Sequence, residues 1–560
     1  MSERNEPKHY QALVDMGSNG IRFSISDLSP QAARIMPTVY QDRLGLSLYD
    51  AQYQSGKKVP ISQSTIDKVI KGLLRFKRIC EDYHVPHENV RVVATEATRK
   101  AINSHAFRQQ IEEATAWKVE LLAKEDEGRI GAMGIASSFG TINGLVMDLG
   151  GGSMQMTWMI FEHGQVRTSP RGAVSFPYGA AAMMRRLDEA GADGHDALRR
   201  EMSTNFEKAL RDLEIPESLS QRAEQEGGWT LYLSGGGFRG WGYILMAMHS
   251  IKPYPIPIIN GFRVPRSSFL PNVKEFSDPE DTFRISARRA SQLPAISFLV
   301  NALAESIPSI AYIYFAQGGV REGLLFSSLA ANIQSEYPLV TATRVHAPHS
   351  TSSLSRLLKA TIPPPHQTDP SKDPPAALTS PHFLTSTVQL LYAYTSYPKD
   401  IDAVAALRST TVGILGDAHG LSHIDRALLA LVMCERMGGE LSATDEPYLS
   451  QMQELAGPRA SWWAKYIGRA AGGIAALFPA GVMREHEGVQ VDVAASWCTV
   501  VKKKKGKVVE AIDFQVRYGM QELDGAVKVW RHHMEKVGKK KHWIGGKEGW
   551  GVKVVTSSMK

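Results

Sequence analysis

Val146-Met-Asp148-Leu-Gly150-Gly151-Gly152-Ser153, followed by the apolar run Met154 to Ile160, shows an apolar strand entering, three glycines turning the chain, and a second strand leaving. Glycines lack a Cβ, so such a turn can bring several backbone N–H groups close to one anion. Ser153 adds a hydroxyl donor. Asp148 stands where the first strand ends, placed to hold a cation or a water. Alone, this is an ordinary hairpin. A second copy near the N-terminus raises its weight. Ala12-Leu-Val14-Asp15-Met-Gly17-Ser18-Asn19-Gly20, then Ile21-Arg-Phe-Ser-Ile25, again runs from apolar strand through Asp and a Gly/Ser turn to a departing strand. Two such units far apart in the chain predict two related lobes facing one phosphate.

Composition sets the frame. A chain of 560 residues is too long for one core and predicts two or three domains. Its 43% hydrophobic and 22% charged residues are those of a soluble globular protein. No apolar run approaches the ~20 residues that span a bilayer, so no membrane partner is expected. The first strand begins at about Tyr10, which leaves no room for a targeting segment ahead of the fold. Cys80, Cys434 and Cys498 are scattered and make neither a disulfide framework nor a zinc set. A reducing cytosol or nucleoplasm is the expected setting, with a cytoplasmic protein the expectation. Much of the net charge of +7 gathers in Lys502 to Lys505, Lys507 and Lys539 to Lys541. Val500-Val501 and Val508-Val509 flank the first run like strands, so it reads as a solvated hairpin tip, with polyanion contact or nuclear import as the alternative. Specific nucleic-acid binding is not expected.

Between the two glycine turns lie further chemical groups. Ser64 to Tyr83 carries apolar residues at helical spacing. Val90 to Val93 is a short strand ending at Ala94-Thr95-Glu96-Ala97-Thr98-Arg99, and Arg99 opens the next helix, where a guanidinium can reach a phosphate bidentately. Val119 to Leu122 is another strand, followed by Ala123-Lys-Glu125-Asp126-Glu127-Gly128-Arg129 and a small-residue helix, Ile130 to Ser138. Acids in a first helical turn suit the helix dipole. The dipole does not account for their position just ahead of the second glycine hairpin.

Asp15-Met-Gly-Ser-Asn19, Thr95-Glu-Ala-Thr-Arg99, Glu127-Gly-Arg129 and Asp148-Leu-Gly-Gly-Gly-Ser153 together resemble the Ppx/GppA family of exopolyphosphatases and guanosine-pentaphosphate phosphohydrolases. The match continues in order through Gly172-Ala-Val-Ser-Phe176, Leu233-Ser-Gly-Gly-Gly237, Arg288-Arg-Ala-Ser-Gln-Leu-Pro294 and Gly318-Gly-Val-Arg-Glu-Gly323, covering about the first 330 residues. The resemblance implies an α/β fold of two actin-like, ribonuclease H-like lobes, residues 1–137 and 138–335, with ligands bound in the cleft between them. It implies Glu127 as the catalytic group that positions and deprotonates water, and Asp15 and Asp148 as holders of Mg²⁺. It implies Gly17, Ser18, Asn19, Arg99, Gly150, Gly151, Gly152 and Ser153 as the phosphate or nucleotide cradle. Phosphoryl transfer is mostly positioning and charge neutralisation, so a base, a cation and a set of donors suffice.

Within the family, Gly20-Ile-Arg-Phe-Ser-Ile25 and Asp148 to Gln155 look most like the fungal retrograde-response members, which relay mitochondrial dysfunction to nuclear transcription. Bacterial enzymes usually carry Ser at the place of Gly20 and Thr at that of Met154. Loss of two hydroxyls beside a phosphate favours a regulator; Glu127, Asp148 and Arg99 favour an enzyme. The expectation is a phosphate- or nucleotide-binding regulator of mitochondria-to-nucleus signalling with regulatory protein partners. The alternative is an active hydrolase of polyphosphate, guanosine pentaphosphate or another phosphoanhydride. A homodimer is the state bacterial relatives often take.

The remaining expectations concern other parts of the chain. Leu231 to Gly237 either touches a nucleoside or is a tight strand-to-helix connection. Gly131, Gly134, Gly140 and Gly144 are expected to relax a hinge between the lobes. Phe283 to Glu305 reads as a long helix, and Ala311 to Gln317 as the last strand of the second lobe. Residues 346–382, rich in Pro, Ser and Thr, read as a mobile linker. Residues 383–560 read as an accessory region, helical to about Met483 and then β-rich. Ser422 to Met433 resembles a helix of the histidine-aspartate domain in longer bacterial relatives. Asp417, His419, His423 and Asp425 cluster there without the adjacent His-Asp pair, so a capped helix start and no metal are predicted.

Overall fold

The first Asp-x-Gly unit folds as a hairpin of β1 (Tyr10–Gly17) and β2 (Gly20–Asp27), with Asp15 opposite Arg22 and Gly17 opposite Gly20. Both strands bury nearly every residue, as strands covered on both faces do. The computed structural model describes residues 7–54, 57–270, 290–483, 491–502, 507–519 and 521–559. β3 (Thr38–Leu44) joins β2 antiparallel, and β4 (Tyr53–Gln54) with β5 (Lys57–Lys58) forms a separate short ribbon. α1 (Gln63–Asp82) follows, its N-terminus capped by Ser62, whose hydroxyl accepts from the Thr65 N–H. It buries Ile66, Val69, Leu73, Phe76 and Cys80, an i, i+3, i+4 face laid against the sheet. β6 (Val90–Ala94) and β7 (Val119–Leu121) then add in parallel to the other side of β1.

The second sheet repeats this plan. β8 (Ile142–Leu149), β9 (Met154–Glu162) and β10 (Gln165–Thr168) form the antiparallel meander, and β11 (Val174–Phe176) pairs beside it on β9. β12 (Trp229–Ser234) pairs in parallel with β8, and β14 (Ile310–Phe315) with β12, while β13 (Arg263–Pro265) closes the edge. Each sheet thus has the order third, second, first, fourth, fifth: β3-β2-β1-β6-β7 and β10-β9-β8-β12-β14. This duplicated topology is the actin-like, ribonuclease H-like fold. In both copies the Asp-bearing first strand is central and its glycine turn lies at the strand end.

The chain forms two compact units: Met1–Ser250 with Ile258–Pro338 and Ala418–Ser422, and Ile251–Pro257 with Leu339–Asp417 and His423–Lys560. Both sheets lie in the first. The glycines expected to loosen a hinge have a different role there. In α4 (Lys124–Ser137) a Cβ at Gly134 would lie 2.1 Å from the Gly319 carbonyl oxygen, and one at Gly131 would lie 3.4 Å from Asp148 Oδ2. Reciprocally, a Cβ at Gly323 would lie 1.9 Å from the Ile130 carbonyl oxygen. These are close-approach positions that let α4 press onto the helix Val320–Ser328. Gly140 is shielded likewise by the Tyr337 ring at 2.4 Å, and Gly144 by the Thr230 carbonyl oxygen at 2.1 Å. Gly134→Ala is therefore expected to destabilise the fold by ~1–3 kcal/mol through overpacking, read as a lower urea midpoint.

In the second unit the helices His423–Arg436 and Pro458–Leu477 carry the core, with Trp462, Trp463, Tyr466 and Ile467 fully buried. β15 (Val491–Lys502), β16 (Lys507–Tyr518) and β17 (Gly551–Ser558) make a sheet on which the helix Asp524–Val537 sets Trp530 against Phe514, ring centroids 5.3 Å apart. The stretch 346–382 departs from the linker expectation. It holds the helix Thr351–Ala360, which buries Leu354, Leu357 and Leu358. Its Pro-rich part is tied down by the helix Pro458–Leu477: Tyr466 donates to the Thr361 carbonyl at 2.7 Å, Trp463 Nε1 to Lys372 at 3.2 Å, and Arg459 Nε to Asp373 at 2.8 Å. The tip residues 503–506, and the first part of the helix expected over Phe283 to Glu305, lie outside the described residues; the described part of that helix is Leu293–Ser306. No helix among the described residues is long and apolar enough to cross a membrane.

Candidate functional site

The turn between β8 and β9 is held from behind. Gly150 N–H donates to the Ser153 carbonyl at 3.0 Å. α5 (Ala180–Asp212, broken at Gly191) starts directly on the turn: Ala180 N–H donates to Gly150 at 2.9 Å, and Ala181 and Ala182 donate to Gly151 at 2.9 and 3.1 Å. Helix N–H groups that would otherwise lack partners thereby fix the turn's carbonyls. Gly179 is packed so tightly here that a Cβ would lie 2.3 Å from the Gly152 carbonyl carbon. The β1–β2 turn is secured similarly, with Arg43 Nη2 donating to the Asn19 carbonyl at 2.9 Å and Ser47 Oγ to Ser18 at 3.2 Å. Arg43 also occupies the space a side chain at Gly20 would need, its Nε lying 3.0 Å from that Cβ position.

The two turns meet. The Asn19 side-chain amide lies against Gly151, 2.7 Å from where a Cβ would stand, and the Glu96 carboxylate lies 2.5 Å from the Cβ position of Gly152. Around this junction burial outweighs the nearby arginines at three carboxylates. Burial pushes Asp148 up to about 6, against the pull of Arg239 and Arg22, with Asp15 adding repulsion. Burial raises Asp15 too, opposed by Arg22, whose Nη1 is 3.9 Å away, and by Arg321. Glu127, in the first turn of α4, is pushed up to about 7 by burial, against Arg99, while Glu96 and Asp148 repel it. Glu322 goes the other way. Burial opposes its charge, yet Arg321, His419 and the Gly319 N–H at 2.9 Å pull it down to about 2.

Of the residues picked out in sequence, Gly17, Ser18 and Asn19 form one turn, Gly150, Gly151, Gly152 and Ser153 the other, and Asp15 and Asp148 occupy the last turns of their strands before them. Arg99, in α2 (Glu96–Lys100), donates through Nη1 to the Leu122 carbonyl and through Nη2 to Glu127 at 3.2 Å. Its position links β7 to the carboxylate at the start of α4. Sequence reasoning passed over Glu96, Arg22, Arg239, Arg321 and Glu322. Glu96 sat inside the quoted Thr95–Arg99 stretch, and Arg321 and Glu322 inside Gly318–Gly323, so the signal was present without a role attached. The Gly235–Gly237 turn is a close strand-to-helix connection onto α7 (Gly235–Ala247). A Cβ at Gly235, where φ is +91°, would lie 2.3 Å from Asp148 Oδ1, and one at Gly237 2.4 Å from the Leu149 side chain. His419 shares a hydrogen bond with Ser137 Oγ at 2.9 Å, and His423 Nδ1 with the Tyr254 hydroxyl at 2.6 Å.

Among the described residues no group of three or more His, Cys, Asp or Glu is gathered as a metal ligand set. Asp15 and Asp148 nevertheless fit a hard cation. Both are buried, both are held toward the neutral form, and each repels the other's charge. Mg²⁺ keeps several waters and needs only one or two carboxylates.

The chain matches the Ppx/GppA phosphatase family over residues 25–332. It belongs to the Ppx/GppA phosphatase family. Residues 337–560 match the RTG2 C-terminal domain. This Ppx/GppA chain is 39% identical over 494 residues to retrograde regulation protein 2 of Saccharomyces cerevisiae, spanning 85% of this chain and 82% of the yeast protein. It is 28% identical over 155 residues to the guanosine-5'-triphosphate,3'-diphosphate pyrophosphatase of Pseudoalteromonas atlantica, spanning 27% of this chain and 29% of that one. Among solved structures, the Aquifex aeolicus Ppx/GppA family member superposes with a TM-score of 0.45 at 20% identity, over 57% of this chain and 96% of that one.

Proposed function

We propose that this protein is a phosphoanhydride- or nucleotide-binding regulator of mitochondria-to-nucleus retrograde signalling, built on a Ppx/GppA domain and acting through regulatory protein partners in the cytoplasm. One observation carries the binding part: two glycine turns from duplicated lobes abut, with the Asn19 amide against Gly151. Backbone N–H groups from both turns, with Ser18 and Ser153, would hold phosphate, and Asp15 and Asp148 would hold Mg²⁺ to neutralise it. The likeness to the yeast retrograde regulator supports the signalling part. A second reading, phosphoanhydride hydrolysis with Glu127 as base, is favoured by a carboxyl group that burial tunes to about 7. In that reading Arg99 positions Glu127.

Gly151→Val separates binding from other effects, because its side chain would meet the Asn19 amide inside the cleft. Calorimetry with MgATP and with Mg²⁺-tripolyphosphate is expected to show a loss of ~5- to 150-fold, the equivalent of ~1–3 kcal/mol of overpacking. Retrograde reporter output in cells should fall with it and survive Glu127→Gln, which keeps size and hydrogen bonding. Undiminished binding by Gly151→Val removes this site from consideration. Silencing by Glu127→Gln as complete as by Gly151→Val would make hydrolysis, or the charge at 127, part of the signal.

A further inference from the structure

The C-terminal end of the chain holds its surplus of positive charge. From Lys528 to Lys560 there are nine Lys or Arg against two Glu, an excess equal to the net +7 of the whole protein. The helix Asp524–Val537 displays the first of them. It buries Val527, Trp530, Met534 and Val537, and its other face exposes Lys528, Val529, Arg531, His532 and Lys536. Lys528, His532 and Lys536 recur every four residues, which stacks them in one row ~6 Å apart at 1.5 Å per residue. Past Gly538 the short helix Lys540–His542 continues the charge, with Lys539, Lys540 and Lys541 all exposed. Glu535 is taken by Arg531 at 2.9 Å. Among the described residues no ion pair engages Lys528, Lys536, Lys539, Lys540 or Lys541. Their fields overlap at His542, where burial lowers the pKa and Lys465, Lys536, Lys541 and Lys539 lower it further. A helix C-terminus favours cations, which explains Lys536 but not Lys528.

We propose that this face docks an extended, acidic segment of a protein partner, with carboxylates along the row and an aliphatic side chain against Val529. The inference rests on the reading that the protein acts through protein partners, and it adds where one binds and by what chemistry. In an extended strand, side chains on one side recur every second residue, ~6.6 Å apart. Alternate Asp or Glu residues therefore meet successive cations of a row spaced at ~6 Å. Val529, 53% exposed, gives an aliphatic foothold beside the row. Opposite charge across the two surfaces also steers their encounter. Other polyanions suit this face less well. Nucleic-acid surfaces rely on Arg forks and on rings that stack bases. Here Arg531 is paired with Glu535, Trp530 is buried, and the solvent face of the helix has no Phe, Tyr or Trp. A membrane-binding helix inserts its apolar face, whereas this helix spends its own on the core.

The test is fluorescence anisotropy of the full chain with a labelled peptide of alternating Asp and Ser carrying one central Leu, at low salt, where exposed charges are least screened. Lys528→Gln combined with Lys536→Gln and Lys540→Gln is expected to weaken binding ~3- to 150-fold, three exposed ion pairs at ~1.4- to 5-fold each. The urea midpoint and the affinity for MgATP should not move, because all three side chains are exposed and unpaired. Lys68→Gln with Lys71→Gln and Lys359→Gln removes the same charge from exposed positions elsewhere and should leave the peptide's affinity nearly unchanged. Absence of peptide binding overturns the proposal, as does binding that the first set leaves intact or that the second set weakens equally. Oligo-dT or phosphatidylserine vesicles that bind as tightly and lose as much in the first set overturn it too, in favour of a general polyanion surface. None of these failures touches the cleft, whose phosphate reading stands or falls separately with the loss of MgATP in Gly151→Val.

Discussion

Glu127→Ala is expected to lower phosphate release ~10²–10⁴-fold, the usual contribution of a general base, while calorimetric binding of the same Mg²⁺-nucleotide persists. The expectation belongs to the hydrolase reading and follows from where the side chain sits. The carboxylate is in the first turn of α4, with 14% of its side-chain area exposed, and Arg99 Nη2 donates to it at 3.2 Å. Burial makes ionisation unfavourable, and Glu96 and Asp148 add to that, so the group titrates at about 7 instead of in the usual carboxylate range. The base form exists above that value. Release from polyphosphate, ATP or guanosine pentaphosphate should therefore climb as pH rises toward about 7 and level beyond it. Glu127→Gln keeps the hydrogen bond to Arg99, cannot titrate, and should flatten the limb that belongs to this group. Arg99→Lys makes a further distinction: a single ammonium cannot serve the Leu122 carbonyl and Glu127 in the fixed fork of a guanidinium. The limb should shift in that variant without vanishing. A Glu127→Ala protein releasing phosphate at the parent rate would leave Glu127 as a helix-start acid with no part in chemistry.

The hairpins around Asp15 and Asp148 were legible because their chemistry is local. An apolar run, an acid and a glycine turn lie within ten residues, and the register that follows puts Gly17 opposite Gly20 and Leu149 opposite Met154. Recognising the same unit twice was enough to anticipate the duplicated sheets. The contacts that complete the site are long-range, and composition cannot show them. Nothing about Asn19 or Glu96 in sequence says that each will lie on a glycine of the other lobe. Glycine itself misled where its reason was packing. Gly131 and Gly134 look like places where a helix could bend, yet they are where a helix must approach Asp148 and the Gly318–Gly319 backbone. Proline misled in the stretch 346–382. A Pro-rich composition reads as uncommitted chain, while Leu354, Leu357 and Leu358 at helical spacing mark a buried face just ahead of it.

Arg34 was invisible for a similar reason, and its removal is expected to cost the first unit ~3–5 kcal/mol. The side chain is fully buried, and the Glu336 charge favours its ionised form. Its guanidinium donates to three backbone carbonyls: Nε to Glu336 at 3.0 Å, Nη1 to Ser137 at 3.0 Å and Nη2 to Phe139 at 2.7 Å. Two of these lie at the C-terminal end of α4, where helix carbonyls lack partners and a cation is favoured by the dipole. The guanidinium also sits 4.9 Å over the Phe326 ring. Arg34→Leu keeps bulk and strands all three carbonyls; each stranded acceptor costs ~1–3 kcal/mol, reduced where the backbone can relax. Arg34→Lys reaches fewer of them and should fall between the two. Burial lowers the Arg34 pKa only to about 9, so the group stays charged at neutral pH and the loss should be the same at pH 6 and pH 8. Urea unfolding at both values measures it. The consequence for function is geometric. Glu127 lies one end of α4 and Ser137 the other, ten residues or ~15 Å apart at 1.5 Å per residue. A clamp on one end therefore sets the height of the carboxylate at the other. If Arg34→Lys retains most of the stability but shifts the pH limb of phosphate release, the clamp positions Glu127. If stability falls by under ~1 kcal/mol in Arg34→Leu, the three carbonyls have found other donors and the clamp does not exist.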